Sequence, residues 1–285
     1  MLAALLVCAA LCSTPASASN RNDTLTVAMC GDIMMGTTFP SVQLPANGGA
    51  DLFKDAGPVF QRADLAVGNL EGTLCDGGQS TKGEGPNVYS FRTPTTYVQW
   101  LKQAGFDFLS MANNHANDFG QEGILSTERM LQQEGIKYAG IEGRTETAVI
   151  ERKGLRIGIC AFGHNSYTLK HTDINTVGRI LADLKERSDI IVVSFHGGAE
   201  GRTKSHLPYG MSLTGISSYA PVIEVKMARD GRFLNGQIHS FIQQKGIGPR
   251  HDKAGSVARE MKQLSEADVP QSQARIDNTG RITLK

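Results

Sequence analysis

Short apolar runs recur along the chain, and four of them are followed at once by a polar cluster. Leu25–Cys30 leads into Gly31-Asp32-Ile33-Met34-Met35-Gly36, and Leu65–Val67 into Gly68-Asn69-Leu70-Glu71-Gly72-Thr73. Phe106–Met111 leads into Asn113-Asn114-His115-Ala116-Asn117-Asp118-Phe119-Gly120, and Ile190–Val193 into Ser194-Phe195-His196-Gly197-Gly198-Ala199-Glu200. Apolar runs ended by Gly, Asn and Asp predict buried strands. The strands expected are Thr24–Cys30, Asp64–Gly68, Phe106–Met111 and Ile190–Phe195, with Ala148–Arg152 and Leu155–Ala161 turning at Lys153-Gly154. A helical period fits Leu52–Arg62, Thr96–Gln103, Gln121–Gln133 and Asn175–Glu186. Strand–helix alternation of this kind predicts an α/β fold with a largely parallel sheet, hairpins adding antiparallel edges.

The rhythm breaks after His196. No helix period and no buried strand precede the next strand, Tyr219–Ala228, where the pattern upstream calls for one more helix–strand unit. Beyond it, Val222–Met227 and Gln237–Gln243 alternate around Asp230-Gly231, a hairpin signal. A helix fits Lys253–Leu264, and a short terminal pair turns at Asn278-Thr279-Gly280. The Gly-rich stretch Asp76–Asn87 reads as a long surface loop close to Glu71.

In open α/β sheets, sites gather beyond the carboxyl ends of the strands. Asp32, Glu71, Asn114, His115 and His196 each follow such a strand, so they are expected to meet on one rim. Carboxylate and amide oxygens with imidazoles, and no cysteine, suit hard or borderline divalent cations. Singly, each has a plainer reading: Asp32 as a cap, Glu71 as a solvated carboxylate, His196 as a buried hydrogen-bonded histidine. Their common position after buried strands favours the ligand reading. His164 reads as a loop residue, and His171, His206, His239 and His251 as surface residues. Arg92 lies near the expected rim, where it can pair with an anionic substrate.

With 285 residues, 29 basic against 28 acidic side chains and a net charge of +1, the chain can bury a substantial core and carries no field to draw nucleic acid. Met1–Cys12 is apolar but short for a membrane span, and Ala16-Ser17-Ala18 offers a cleavage site before Ser19. Residues 1–18 are therefore expected to be a signal peptide, although no Lys or Arg precedes the apolar core. The bulky Val7 and Leu11 before Cys8 and Cys12 argue against a lipid anchor. Export to the periplasm or cell surface is the expectation. Cys30, Cys75 and Cys160 then remain, an odd set with no close pair, which argues against a disulfide framework. Cys30 and Cys160 sit in apolar runs as core residues, and none of the three is given a catalytic role.

Taken together, Gly31-Asp32-Ile33-Met34, Asn69-Leu70-Glu71, Phe91 with Pro94, Ala104 through Gly120, and His196-Gly197-Gly198-Ala199-Glu200 resemble the capsule-synthesis CapA family of poly-γ-glutamate capsule accessory proteins. The family looks like a branch of the calcineurin-like metallophosphoesterases. The resemblance runs from about Leu25 to Glu200 and resumes near Tyr219. It implies a layered α/β/β/α sandwich with mixed sheets over residues 19–285, shortened internally near 201–211. It also implies that Asp32, Glu71, Asn114 and His196 hold one or two divalent ions (Mn, Fe, Zn or Mg). His115 would then stand as general acid, with Asn113 and Arg92 against the substrate. Two departures stand out: Met34 replaces the superfamily's histidine, and the family's Gly-His-x-Pro-His and Ser-Leu-Gly-Asn-Phe elements are absent. The function implied is capsule or poly-γ-glutamate biosynthesis through metal-dependent phosphoesterase-like chemistry outside the cytoplasm. Its target would be a cell-surface polymer or precursor, and its neighbours other capsule-synthesis membrane proteins. The alternative is a non-catalytic accessory or binding factor with a degenerate metal site.

Overall fold

The computed structural model describes residues 24–197 and 215–285, apart from 84, 86 and 87. The first half alternates as expected: β1 (Thr24–Ile33), α1 (Gly57–Arg62), β2 (Leu65–Leu70), β3 (Thr73–Leu74), β4 (Arg92–Thr93), α2 (Val98–Ala104), β5 (Phe108–Ser110), α3 (Gly120–Gln133) and β6 (Lys137–Ala139). Then follow β7 (Thr147–Arg152), β8 (Leu155–Phe162), α4 (Ile174–Arg187) and β9 (Ile190–Phe195). The last part holds β10 (Val222–Ala228), β11 (Phe233–His239), β12 (Phe241–Gln244), β13 (Gly248–His251), α5 (Ser256–Asp268), β14 (Ala274–Ile276) and β15 (Arg281–Leu284).

Eight strands form one mixed sheet in the order β14-β15-β11-β10-β1-β2-β5-β6, and β7-β8-β9 form a second. Pairing is parallel from β1 through β6 and antiparallel from β1 through β10 to β14. The two-residue period of the strands explains the layering. Leu25, Val27 and Met29 of β1 pack with Ile157, Ile159 and Ala161 of β8 between the two sheets. Ala28 turns the other way, toward Val59 and Phe60 of α1, Leu101 of α2 and Leu131 of α3. Cys160 and Phe162 of β8 meet Ile180 and Leu184 of α4 on the far side of the small sheet. The result is helix, sheet, sheet, helix, the expected α/β/β/α sandwich. Each fully buried Leu, Ile or Phe contributes roughly 1.5–3 kcal/mol to holding these layers together.

Differences from the sequence reading are local. The helix expected from Leu52 begins only at Gly57, with Pro58 in its first turn, where a missing N–H costs nothing. The strand expected over Gln237–Gln243 divides at Ser240: β11 starts earlier, at Phe233, and β12 leaves the large sheet to pair with β13. Cys75, read as a loop residue, is buried at the end of β3. The expected signal peptide, and residues 198–214 with the expected missing unit, lie outside the described residues. After them a 3-10 turn at Gly215–Ser218 leads into β10, which returns the chain to the large sheet beside β1.

Candidate metal centre

The rim forms because neighbouring strands end together. The β1–β2 register shifts between Met29 and Asp32, and this irregularity sets Asp32 opposite Asn69. Bulges of this kind re-aim a side chain at a strand end. Asn69 is in turn opposite Ser110 on β5. The Glu71 N–H donates to the Ile33 carbonyl (3.0 Å), tying the turn after β2 to the end of β1. Gly72 then adopts φ +119°, with Phe91 Cβ only 2.9 Å from where its own Cβ would stand, so only glycine turns the chain there. His196 arrives from β9, its N–H donating to the Phe162 carbonyl (2.9 Å).

One ligand atom each from Asp32, Glu71 and His196 lies within 4.8 Å of the others. At their centre is the Asn69 amide. Its Nδ2 is 2.7 Å from Asp32 Oδ1, 2.9 Å from Glu71 Oε2 and 3.3 Å from His196 Nδ1. An amide has two N–H groups, so it cannot serve all three neighbours when each is an acceptor. Asn69 Oδ1 is itself engaged by Asn113 Nδ2 (3.0 Å), which fixes which end of the amide faces the cluster. His196 Nε2 lies 2.9 Å from Asn114 Oδ1; donating there, it leaves Nδ1 turned toward the carboxylates. Asp32, with its side chain 29% exposed, is the solvent-facing member.

The electrostatics follow from this crowding. Burial, and then the charge of Asp32, push the Glu71 carboxyl up to about 8. Burial would also raise Asp32, but its hydrogen bond to His196 and that residue's charge, helped by Asn69, hold it below the usual carboxylate range. Burial would lower His196, yet Asp32 and Glu71 together keep it above an ordinary histidine. Of the two carboxylates, the solvent-facing Asp32 is thus ionised and the buried Glu71 protonated. Surplus acceptors around one point, with a proton held on Glu71 by burial and by the charge of Asp32, fit a divalent cation.

His115 stands beside the cluster, with Nε2 3.8 Å from Glu71 Oε1. Its ring stacks on Phe91 with centroids 4.1 Å apart. Nδ1 is 2.8 Å from Asp118 Oδ2 and 3.0 Å from Lys82 Nζ, while Lys82 Nζ is 2.6 Å from Asp118 Oδ1. Asp118 also accepts from the Phe91 N–H (2.7 Å). Burial lowers the His115 pKa against the upward pull of Asp118, so the ring is neutral at pH 7.

The structure therefore brings Asp32, Glu71, His196, Asn114 and His115 to one rim. Asn113 is fully buried behind it. Its Nδ2 also donates to the Leu70 carbonyl (2.8 Å), and its Oδ1 accepts from the His115 N–H (3.0 Å). Arg92 turns elsewhere: Nε donates to Thr38 Oγ1 (2.9 Å), and the guanidinium lies 5.5 Å and 5.3 Å from the Phe39 and Phe119 ring centroids. Asn69, Lys82 and Asp118 were not singled out from the sequence. Asn69 and Asp118 sat inside quoted motifs, which was signal enough to find them; Lys82, in the Gly-rich loop, carried none.

The family model of bacterial capsule synthesis protein PGA_cap matches residues 26–207, and the chain belongs to that family. It is 27% identical to the PGA biosynthesis protein CapA of Bacillus subtilis (strain 168) over 85% of this chain and 69% of that protein. It is 30% identical to the capsule biosynthesis protein CapA of Bacillus anthracis over 42% of this chain, which spans only 29% of that relative. Among solved structures it is similar to the NAD nucleotidase of Haemophilus influenzae (TM-score 0.46, 13% identity, 84% of this chain and 56% of that one). It is also similar to a phosphatase from Mycoplasma pneumoniae (TM-score 0.48, 13% identity, 77% and 94%). Likeness at that level says nothing of chemistry.

Proposed function

We propose that this capsule-synthesis family member is a metal-dependent, phosphoesterase-type hydrolase. We place it outside the cytoplasm, acting on a cell-surface polymer or its precursor. The observation that carries this reading is the convergence of Asp32, Glu71 and His196 within 4.8 Å, with His115 on the same rim. Asp32 Oδ1, Glu71 and His196 Nδ1 would hold the cation; Asn114, expected as a further ligand, has its Oδ1 on His196 Nε2 here and would orient the imidazole from its far side. Such a cation supplies Lewis-acid stabilisation of charge on a phosphoryl group.

The chain's own groups do the rest. Asp118 and Lys82 hold the Nδ1 edge of His115, and Phe91 holds its face, so Nε2 is presented to the rim in one orientation. The ring is neutral in the free protein. Approach of an anionic phosphoryl group favours its protonated form, from which Nε2 donates to the leaving oxygen. The test is hydrolysis of a chromogenic phosphodiester with manganese by the wild type and His115→Ala. A loss of 10²–10⁴-fold is expected for general acid catalysis, and equal rates would sink the assignment.

A second reading, a binding factor for capsule assembly, rests on there being a single acidic–imidazole group of three among the described residues. Manganese binding without turnover of any phosphodiester would favour it.

A further inference from the structure

His164 and His171, read from the sequence as a loop and a surface residue, face one point beside the metal centre. β8 and β9 run parallel with Phe162 paired to Phe195, so the residues two beyond each, His164 and Gly197, leave their strands side by side. The loop after β8 folds back on itself: Gly163 N–H donates to the Leu169 carbonyl (2.8 Å), and His171 N–H to the Gly163 carbonyl (3.0 Å). His171 Nδ1 also lies 2.9 Å from that carbonyl. A carbonyl only accepts, so Nδ1 carries the proton and Nε2 presents its lone pair. A β-carbon placed on Gly197 would lie 3.4 Å from His164 Nδ1 and 3.7 Å from His171 Nε2. The two nitrogens therefore both lie within 4 Å of one point beside Gly197, where no side chain of that residue stands. His164 makes no side-chain hydrogen bond or ion pair among the described residues.

We propose that His164 and His171 form a second cation site beside Gly197, taking a first-row transition ion that favours imidazole, such as zinc or cobalt. The donor chemistry decides the class. Two imidazoles, one already oriented by its Nδ1 against a backbone carbonyl, are the arrangement that metal-bound histidines show. Water completes the coordination of an exposed ion. Neither residue belongs to the Asp32, Glu71 and His196 group. The inference stands without the catalytic reading.

The test is zinc stoichiometry by calorimetry, with cobalt absorption as a second readout. Wild type should bind two ions per chain; His164→Ala with His171→Ala should bind one and lose the cobalt band of the imidazole site. Asp32→Asn with Glu71→Gln should lose the other ion and keep that band. Gly197→Ala is the steric variant. Its methyl makes only ordinary contacts at 3.4, 3.7 and 3.8 Å, so thermal melting should be unchanged while the second ion is lost. Zinc and cobalt binding unaffected by both the histidine pair and Gly197→Ala would overturn the proposal. If the carboxylate variant changes nothing while the histidine variant does, the first centre fails and this one survives.

Discussion

Glu71 offers the sharpest quantitative test of the metal centre, because its carboxyl must give up a proton before it can hold a cation. With its pKa pushed up to about 8, the group is about nine-tenths protonated at pH 7. Binding of manganese at pH 7 should therefore release close to one proton. Apparent affinity should rise about tenfold from pH 6 to pH 7 and flatten above about pH 8. His196, also held above its ordinary value, acts in the same direction. Calorimetry in two buffers of different ionisation enthalpy reads the released proton directly. A release near zero at pH 7, or an affinity indifferent to pH between 6 and 8, would mean that Glu71 holds no proton for the cation to displace.

The same shift has a consequence in the metal-free chain. Glu71 titrates near 4.5 when unfolded and near 8 when folded, so between these values the native state holds a proton that the unfolded state has lost. Its contribution to stability is fully present below pH 4.5 and disappears as pH rises through about 8. The slope is at most about 1.4 kcal/mol per pH unit. Glu71→Gln mimics the protonated form and should lack that slope. Urea unfolding in EDTA at pH 5, 6.5 and 8 should therefore show the two proteins diverging, the variant gaining relative stability with pH. Parallel stability curves would mean that Glu71 is not held protonated by Asp32 and burial.

Two structural predictions follow from the groups behind the rim. Asn113→Ala removes three hydrogen bonds and leaves the Leu70 carbonyl and Asn69 Oδ1 without their buried donor. The expected cost is about 2–4 kcal/mol, read as a fall of roughly 5–10 °C in melting temperature. Lys82→Met leaves the buried Asp118 carboxylate without its cation; a loss of about 3 kcal/mol is expected in urea unfolding, largely restored by Lys82→Arg.

What could be read from the sequence was whatever depends on local period and strand ends. The apolar run Leu25–Cys30, ended by Gly31-Asp32, makes β1 legible in the sequence and sets Asp32 near its end, although not which of its residues face which layer. Singly, Glu71 and His196 have plainer readings, and it is their common position after buried strands that points to a shared rim. Asn69 was passed over because it lies inside β2 and looks like a strand-terminating amide. Only the shifted β1–β2 register shows that its Nδ2 sits among three acceptors. Lys82 is further from reach, since a lysine in a Gly-rich loop is ordinarily solvated, and no local pattern says that the loop folds over His115 and Asp118. For Arg92 the sequence says only that it lies near the expected rim, whereas the structure shows its guanidinium beside Thr38 and two phenyl rings. Residues whose role is set by their own strand are thus readable one at a time. Those whose role is set by the register between strands, or by where a loop lands, become visible only when the partner is in place.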